Sequence, residues 1–193
     1  MTFQQATFLT SATTLSGLPK SQLPEIAFIG RSNVGKSSLI NAVVRNSKIA
    51  KISKTPGRTQ QINFFNIVKF MLVDLPGYGY AAAPIKEVRK WQEFNLEYIQ
   101  NRQQLKIVFL LIDSRIGFKE IDLAFIQQLN EFNIRCQVIY TKVDKLNKNE
   151  IEILKSMTSF NDKYHCLEQE AIITSSKSKS GIVKVKGAIL NYI

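Results

Sequence analysis

The residues with the clearest chemistry are Gly30, Arg31, Ser32, Asn33, Val34, Gly35, Lys36 and Ser37, which read G-x-x-x-x-G-K-S. In such a run the glycines let the main chain turn tightly, so that successive N–H groups converge on phosphate oxygens. A helix starting at Lys36 offers its unpaired N–H groups and the positive end of its dipole to the same anion. Lys36 is then spaced to reach the terminal phosphates, and the Ser37 hydroxyl to hold magnesium. The competing reading is a Gly-rich turn with an exposed lysine. The flanks count against it, because residues 26–29 are an apolar run fit for a buried strand and residues 38–44 suit a helix.

Further along, Asp74, Leu75, Pro76 and Gly77 form a D-x-x-G element directly after an apolar strand. A carboxylate there can hold magnesium through water, and the Gly77 N–H, unobstructed by a side chain, can approach a γ-phosphate. Thr141, Lys142, Val143 and Asp144 are a variant of the guanine-reading N-K-x-D element, with Thr141 in place of the usual Asn. The Asp144 carboxylate suits the paired N–H donors on the guanine edge; adenine has no such pair, so the site favours GTP over ATP. The Lys142 stem suits the base plane. Thr174, Ser175 and Ser176 follow a short apolar strand and can bring backbone N–H groups near the guanine O6, although most such turns are only turns.

The loop before the second strand should supply a threonine to the magnesium shell. Thr55 and Thr59 both qualify, and Thr59 lies nearer the strand. Ordered by γ-phosphate and released on hydrolysis, such a loop is a switch. The residue after Gly77 is Tyr78, not the glutamine that many GTPases use to orient water, so intrinsic hydrolysis should be slow. Asn33 offers a side-chain oxygen to a monovalent cation, potassium being the candidate; the alternative is that it only shapes the loop. Asp113 and Arg115 suggest a structural pair. His165, the only histidine, has no assigned chemistry.

Strands and helices alternate around these motifs. Strands are expected at 26–29, 61–67, 68–73, 107–112, 134–140 and 171–173, the second and third as a hairpin. Helices are expected at 36–45, 86–102 (with Val88, Trp91, Phe94 and Tyr98 as a core stripe), around Ile121, Phe125, Leu129 and Phe132, at 149–160, and along Ile182, Val185, Ile189 and Ile193. Residues 46–60 read as a loop. This is an α/β pattern: a mostly parallel six-stranded sheet with helices on both faces and ligands at the carboxyl ends of its strands. Residues 1–24 read as an N-terminal extension pinned by Phe3, Phe8 and Leu15, and residues 25–193 as one nucleotide-binding domain.

With 193 residues the chain can bury a core without staples, and its two cysteines, Cys136 and Cys166, show no metal spacing. No signal peptide or membrane span is expected, which fits a cytoplasmic protein. The net charge of +11 is unevenly placed. Residues 26–73 contain no acid but eight bases (Arg31, Lys36, Arg45, Lys48, Lys51, Lys54, Arg58 and Lys69), and after Glu170 come only Lys177, Lys179, Lys184 and Lys186. Bound nucleotide accounts for part of this. The remainder suggests RNA, with a solvated basic face as the alternative.

The run from Pro24 to Asn41, the run Lys54-Thr55-Pro56-Gly57-Arg58-Thr59-Gln60, Asp74-Leu75-Pro76-Gly77-Tyr78-Gly79 and Thr141-Lys142-Val143-Asp144 together resemble the EngB (YihA/YsxC) GTPases of bacteria, within the TrmE-Era-EngA-EngB-Septin-like superfamily. Thr141 is usual in that family. The resemblance implies a P-loop GTPase of Ras-like G-domain fold, magnesium, slow GTP hydrolysis, a role in assembling the large ribosomal subunit on its ribosomal RNA, and a need for the protein in cell division and septation. It implies that Gly30 to Ser37 hold phosphates, with Lys36, Thr59 and Gly77 serving hydrolysis, and that Ser37 and Thr59 ligate magnesium. Gly57, Arg58, Thr59, Gln60 and Gln61 would form the first switch, Asp74 to Gly77 the second, and Thr141 to Asp144 with Thr174 to Ser176 the guanine site. A monomer is expected. The contrasting reading is a GTP-regulated partner of the division machinery that never touches RNA.

Overall fold

The computed structural model describes residues 3–50, 61–79, 85–158 and 164–193. Among the described residues, seven strands form one sheet: β1 (Thr7–Ala12), β2 (Glu25–Gly30), β3 (Ile62–Asn66), β4 (Met71–Asp74), β5 (Leu105–Asp113), β6 (Cys136–Thr141) and β7 (Ile172–Ile173), in the order β1-β3-β4-β2-β5-β6-β7. The helices are α1 (Lys36–Val44), α2 (Ile85–Asn101), α3 (Glu120–Glu131), α4 (Lys148–Ser156) and α5 (Ile182–Leu190). The pairs β2–β4, β2–β5, β5–β6 and β6–β7 are parallel, while the β3–β4 hairpin and β1–β3 are antiparallel.

The period of two along a strand decides which face each side chain serves. On β5, Ile107, Phe109 and Leu111 pack with Leu39, Ile40 and Val43 of α1 and Val185 and Ile189 of α5. Val108, Leu110 and Ile112 point the other way, to Tyr98 of α2, Phe125, Ile126 and Leu129 of α3, and Leu154 of α4. The central strands are therefore mostly apolar, as strands covered on both faces must be, with the carboxylates Asp74 and Asp113 confined to the carboxyl ends of β4 and β5. Glu25 is the carboxylate at the opposite end. Fully buried at the start of β2, it accepts Nε of Arg102 at 3.0 Å, Nη2 of Arg102 at 2.5 Å and the Tyr98 hydroxyl at 2.7 Å. These bonds tie the end of α2 to the strand that leads into the phosphate loop.

The sheet has one strand more than the sequence pattern suggested. Thr7–Ala12 pairs with β3 through an irregular register between Phe8 and Thr10, and with Phe8 and Leu9 adjacent and both exposed it gives no clean alternation to read. Phe3 packs into the core, and Phe8, though largely exposed, meets the Phe65 ring of β3 edge-on at 5.9 Å, while Leu15 is exposed. On α3 the stripe is displaced, with Asp122 buried and Ile121 exposed. On α2, Tyr98 is buried and Phe94 packs against the core, while the Val88 side chain lies outside the description. Ile193 falls beyond α5 and is exposed. Both cysteines are buried free thiols. Among the described residues, no helix is long and apolar enough to cross a membrane.

Candidate functional site

The candidate site lies at the carboxyl ends of β2, β4, β5, β6 and β7. Gly35 stands at φ +104°, a conformation that favours glycine, and opens α1 without a side-chain cap or an acid in the first turn. The helix terminus is thus left for an external anion. Lys36 is ion-paired with Asp74, which ends β4 almost fully buried. The Ser37 hydroxyl, at the second position of α1, makes no hydrogen bond to any described residue.

The D-x-x-G element is wired to the phosphate loop by main chain. The Leu75 N–H donates to the Phe28 carbonyl at 3.0 Å, Tyr78 N–H to Gly30 at 3.3 Å, and Ser32 N–H to Tyr78 at 3.1 Å. A Cβ on Gly77 would stand 2.9 Å from the Gly30 carbonyl oxygen, so only glycine admits this approach. Asn95 of α2 donates to the Pro76 carbonyl at 3.0 Å. The Tyr78 side chain turns away from the loop and is buried against Phe125, its hydroxyl donating to Asp122 at 2.7 Å.

The third motif divides its labour. The buried Thr141 hydroxyl donates to the Val34 carbonyl at 2.7 Å and so braces the phosphate loop from the cavity wall. Val143 is buried and its N–H is taken by the Thr174 carbonyl. Lys142, at φ +61°, runs over Gly35, and its ammonium donates to the Asn33 carbonyl at 2.6 Å and to Asp113 Oδ2 at 2.9 Å. Asp113 also takes a two-pronged contact from Arg115, at 2.9 and 2.7 Å, so the expected pair is present with Lys142 as a third member. Burial opposes its charge, but the Arg115 and Lys142 bonds outweigh that and hold the carboxyl well below the usual carboxylate range.

Asp144 alone of that motif presents its carboxylate to open space. Ser175, fully buried, donates to Asp144 Oδ1 at 2.6 Å. That bond is the largest influence and, with a backbone hydrogen bond, Lys145 and Lys177, outweighs the opposing effect of burial and keeps Asp144 below the usual carboxylate range. Asp144, Gly35, Ser38, Lys142 and Ser176 line one cavity of about 900 Å³, within the range of small-molecule sites. The Thr174–Ser176 turn departs from expectation. The Thr174 and Ser175 N–H groups are spent on the Tyr140 and Ser180 carbonyls, and the Thr174 hydroxyl bonds Tyr140 as well. Those two residues aim Asp144, and only Ser176 reaches the cavity wall.

Thr55, Gly57, Arg58, Thr59 and Gln60 lie outside the described residues; Gln61 is exposed just before β3. The approach to that segment is anchored by a residue no motif marks. The buried Asn41 of α1 donates to the Ser47 and Ala50 carbonyls at 3.1 and 3.0 Å and accepts the Ala50 N–H at 2.9 Å. Its only sequence signal is a polar side chain on the core-facing side of an apolar helix.

Comparison with known proteins places this arrangement. The family model described as 50S ribosome-binding GTPase matches residues 25–142. The probable GTP-binding protein EngB of Ruegeria sp. (strain TM1040) is 43% identical over 187 residues, covering 96% of this chain and 87% of the relative. The chain belongs to the EngB family. The EngB protein of Rickettsia felis is likewise 43% identical, over 98% of this chain and 89% of its own length. A crystal structure of a probable GTP-binding protein EngB superposes with a TM-score of 0.69 at 26% identity, covering 87% of this chain and 97% of that one. Era, solved with MgGDPNP and a segment of 16S ribosomal RNA, superposes at 0.68 and 21% identity over 88% of this chain and 56% of its own, which speaks for the fold alone. The chain is a GTP-binding protein of the P-loop GTPase class with a Ras-like G domain.

Proposed function

We propose that this chain is a GTP-driven assembly factor for the large ribosomal subunit, acting as a cytoplasmic monomer, on which normal cell division and septation depend. The observation that carries the guanine reading is the Asp144 carboxylate, aimed by Ser175 into a cavity shared with the phosphate loop. In this reading Asp144 accepts the two donors of the guanine edge, the Lys142 stem supports the base, and Ser176 closes the far side. The N–H groups of Gly30 to Ser37 hold the phosphates. Lys36 exchanges Asp74 for the terminal phosphates, and the Gly77 N–H meets the γ-phosphate.

Magnesium suits the donors present. The Ser37 hydroxyl, which bonds no described residue, and the buried Asp74 carboxylate are hard oxygen ligands, few in number, as befits an ion that keeps its waters. Ser37 would hold it directly, with Thr59 the candidate from the first switch (residues 57–61) and Asp74 acting through water. Once bound, magnesium neutralises phosphate charge. Because Tyr78 points to Asp122, it orients no water, and intrinsic hydrolysis is slow. Asn33, with an exposed side chain, is the candidate partner for a potassium ion that speeds it.

The RNA reading rests on unbalanced cations. Arg45, Lys145, Lys177 and Lys179 are exposed along the cavity, with Asp144 the only acid among its described lining residues. Lys48, Lys69 and Lys184 add exposed charge elsewhere. The test is co-sedimentation with large-subunit precursors. The GTP-analogue complex should pellet with them, the GDP complex should not, and rising salt should release it steeply. Absence of binding at low salt in either state defeats the RNA reading in favour of a division partner.

A further inference from the structure

Asp122 belongs to none of the nucleotide motifs, yet it is fully buried beside them. Its Oδ1 accepts the Tyr78 hydroxyl at 2.7 Å and pairs with Arg31 Nε at 3.4 Å. Its Oδ2 accepts the Lys119 N–H at 2.8 Å, at the start of α3. Arg31, the second residue of the phosphate loop, also donates to the Gly117 carbonyl at 2.6 Å. Arg31 and Tyr78 are themselves joined as a parallel bridge. One carboxylate thus clamps the side chains of two residues whose main chains already hold the phosphate loop and the second switch together. Burial and the Asp122 charge both keep the Tyr78 phenol protonated, so it remains a donor throughout the physiological range.

The clamp acts on Gly77. Its peptide lies against the Gly30 carbonyl and is followed at once by the anchored Tyr78. We propose that Asp122 is a positioning residue which, through Tyr78 and Arg31, fixes the Gly77 N–H against the phosphate loop and thereby sets how strongly the protein favours GTP over GDP. This rests on the reading of Gly77 as a γ-phosphate donor. GDP has no group to meet that N–H, so loosening the clamp penalises GTP alone. A donor already held in place binds without an ordering cost.

The test uses Tyr78→Phe, which removes one hydrogen bond and keeps the packed ring, and Asp122→Asn, which keeps the shape and weakens the hold on Arg31. Dissociation constants for GDP and for a non-hydrolysable GTP analogue are measured by titration, with thermal melting as a folding control. Each variant should bind the GTP analogue about five- to tenfold more weakly while GDP stays within about twofold. Equal losses for both nucleotides, or no loss for either, overturn the proposal. The Gly77 amide resonance in glycine-labelled wild-type protein separates the two readings. If it does not shift when the GTP analogue replaces GDP, the γ-phosphate role of Gly77 fails and the proposal with it. If it shifts and the affinity ratio is unchanged in both variants, the clamp alone is refuted.

Discussion

Ser175→Ala isolates the aiming of the guanine-reading carboxylate. The substitution deletes a 2.6 Å bond from a fully buried hydroxyl to Asp144 Oδ1, and with it the acceptor of the Ser178 N–H at 3.1 Å. A hydrogen bond to a charged group contributes about 1.5–3 kcal/mol when sheltered. Asp144 is exposed, so water replaces part of it; about 1 kcal/mol should remain, which is roughly fivefold in the GDP dissociation constant. The pH dependence follows from the same bond. Ser175 is the largest of the influences that keep the Asp144 carboxyl below its usual range. Guanine needs the charged form, so binding weakens as pH falls through that pKa, and in Ser175→Ala the weakening begins at a higher pH. The assay is a nucleotide titration across pH on wild type, Ser175→Ala, Asp144→Ala and the double variant. If Ser175 acts through Asp144, it costs little once Asp144 is gone. An equal cost in both backgrounds refutes the reasoning.

Arg102→Ala should lower unfolding stability by about 3–5 kcal/mol, because it strands the buried Glu25 carboxylate; denaturant melts that move by less than about 1 kcal/mol would show that the Tyr98 hydroxyl and water suffice. GTP turnover should be faster in potassium than in sodium buffer, and Asn33→Ala should abolish the difference; equal rates in wild type remove the cation from the account.

The phosphate loop, the D-x-x-G turn and the alternation of strands and helices are legible because each is a local pattern: glycines at fixed spacing, or apolar runs long enough to mark a strand covered on both faces. Thr7–Ala12 was hidden for the opposite reason. An edge strand with an irregular register and two adjacent exposed apolar residues, Phe8 and Leu9, carries no period-two signal. The division of labour within the guanine motif was also invisible. Thr141 and Thr174 spend their hydroxyls on the carbonyls of Val34 and Tyr140, contacts fixed by sheet register and not by spacing in the chain. Asp122 and Asn41 show in the sequence only as polar residues on core-facing helix positions.

The central claim is a guanine nucleotide held between the phosphate loop and Asp144. Titration of wild type and Asp144→Ala with GTP, GDP and ATP tests it most directly. Two charge-assisted bonds, discounted for the exposure of the carboxylate, amount to about 3 kcal/mol, so the variant should lose roughly a hundredfold in GTP and GDP affinity and nothing toward ATP, which wild type should bind weakly. Wild type binding ATP as tightly as GTP, or guanine nucleotides binding the variant undiminished, would contradict it.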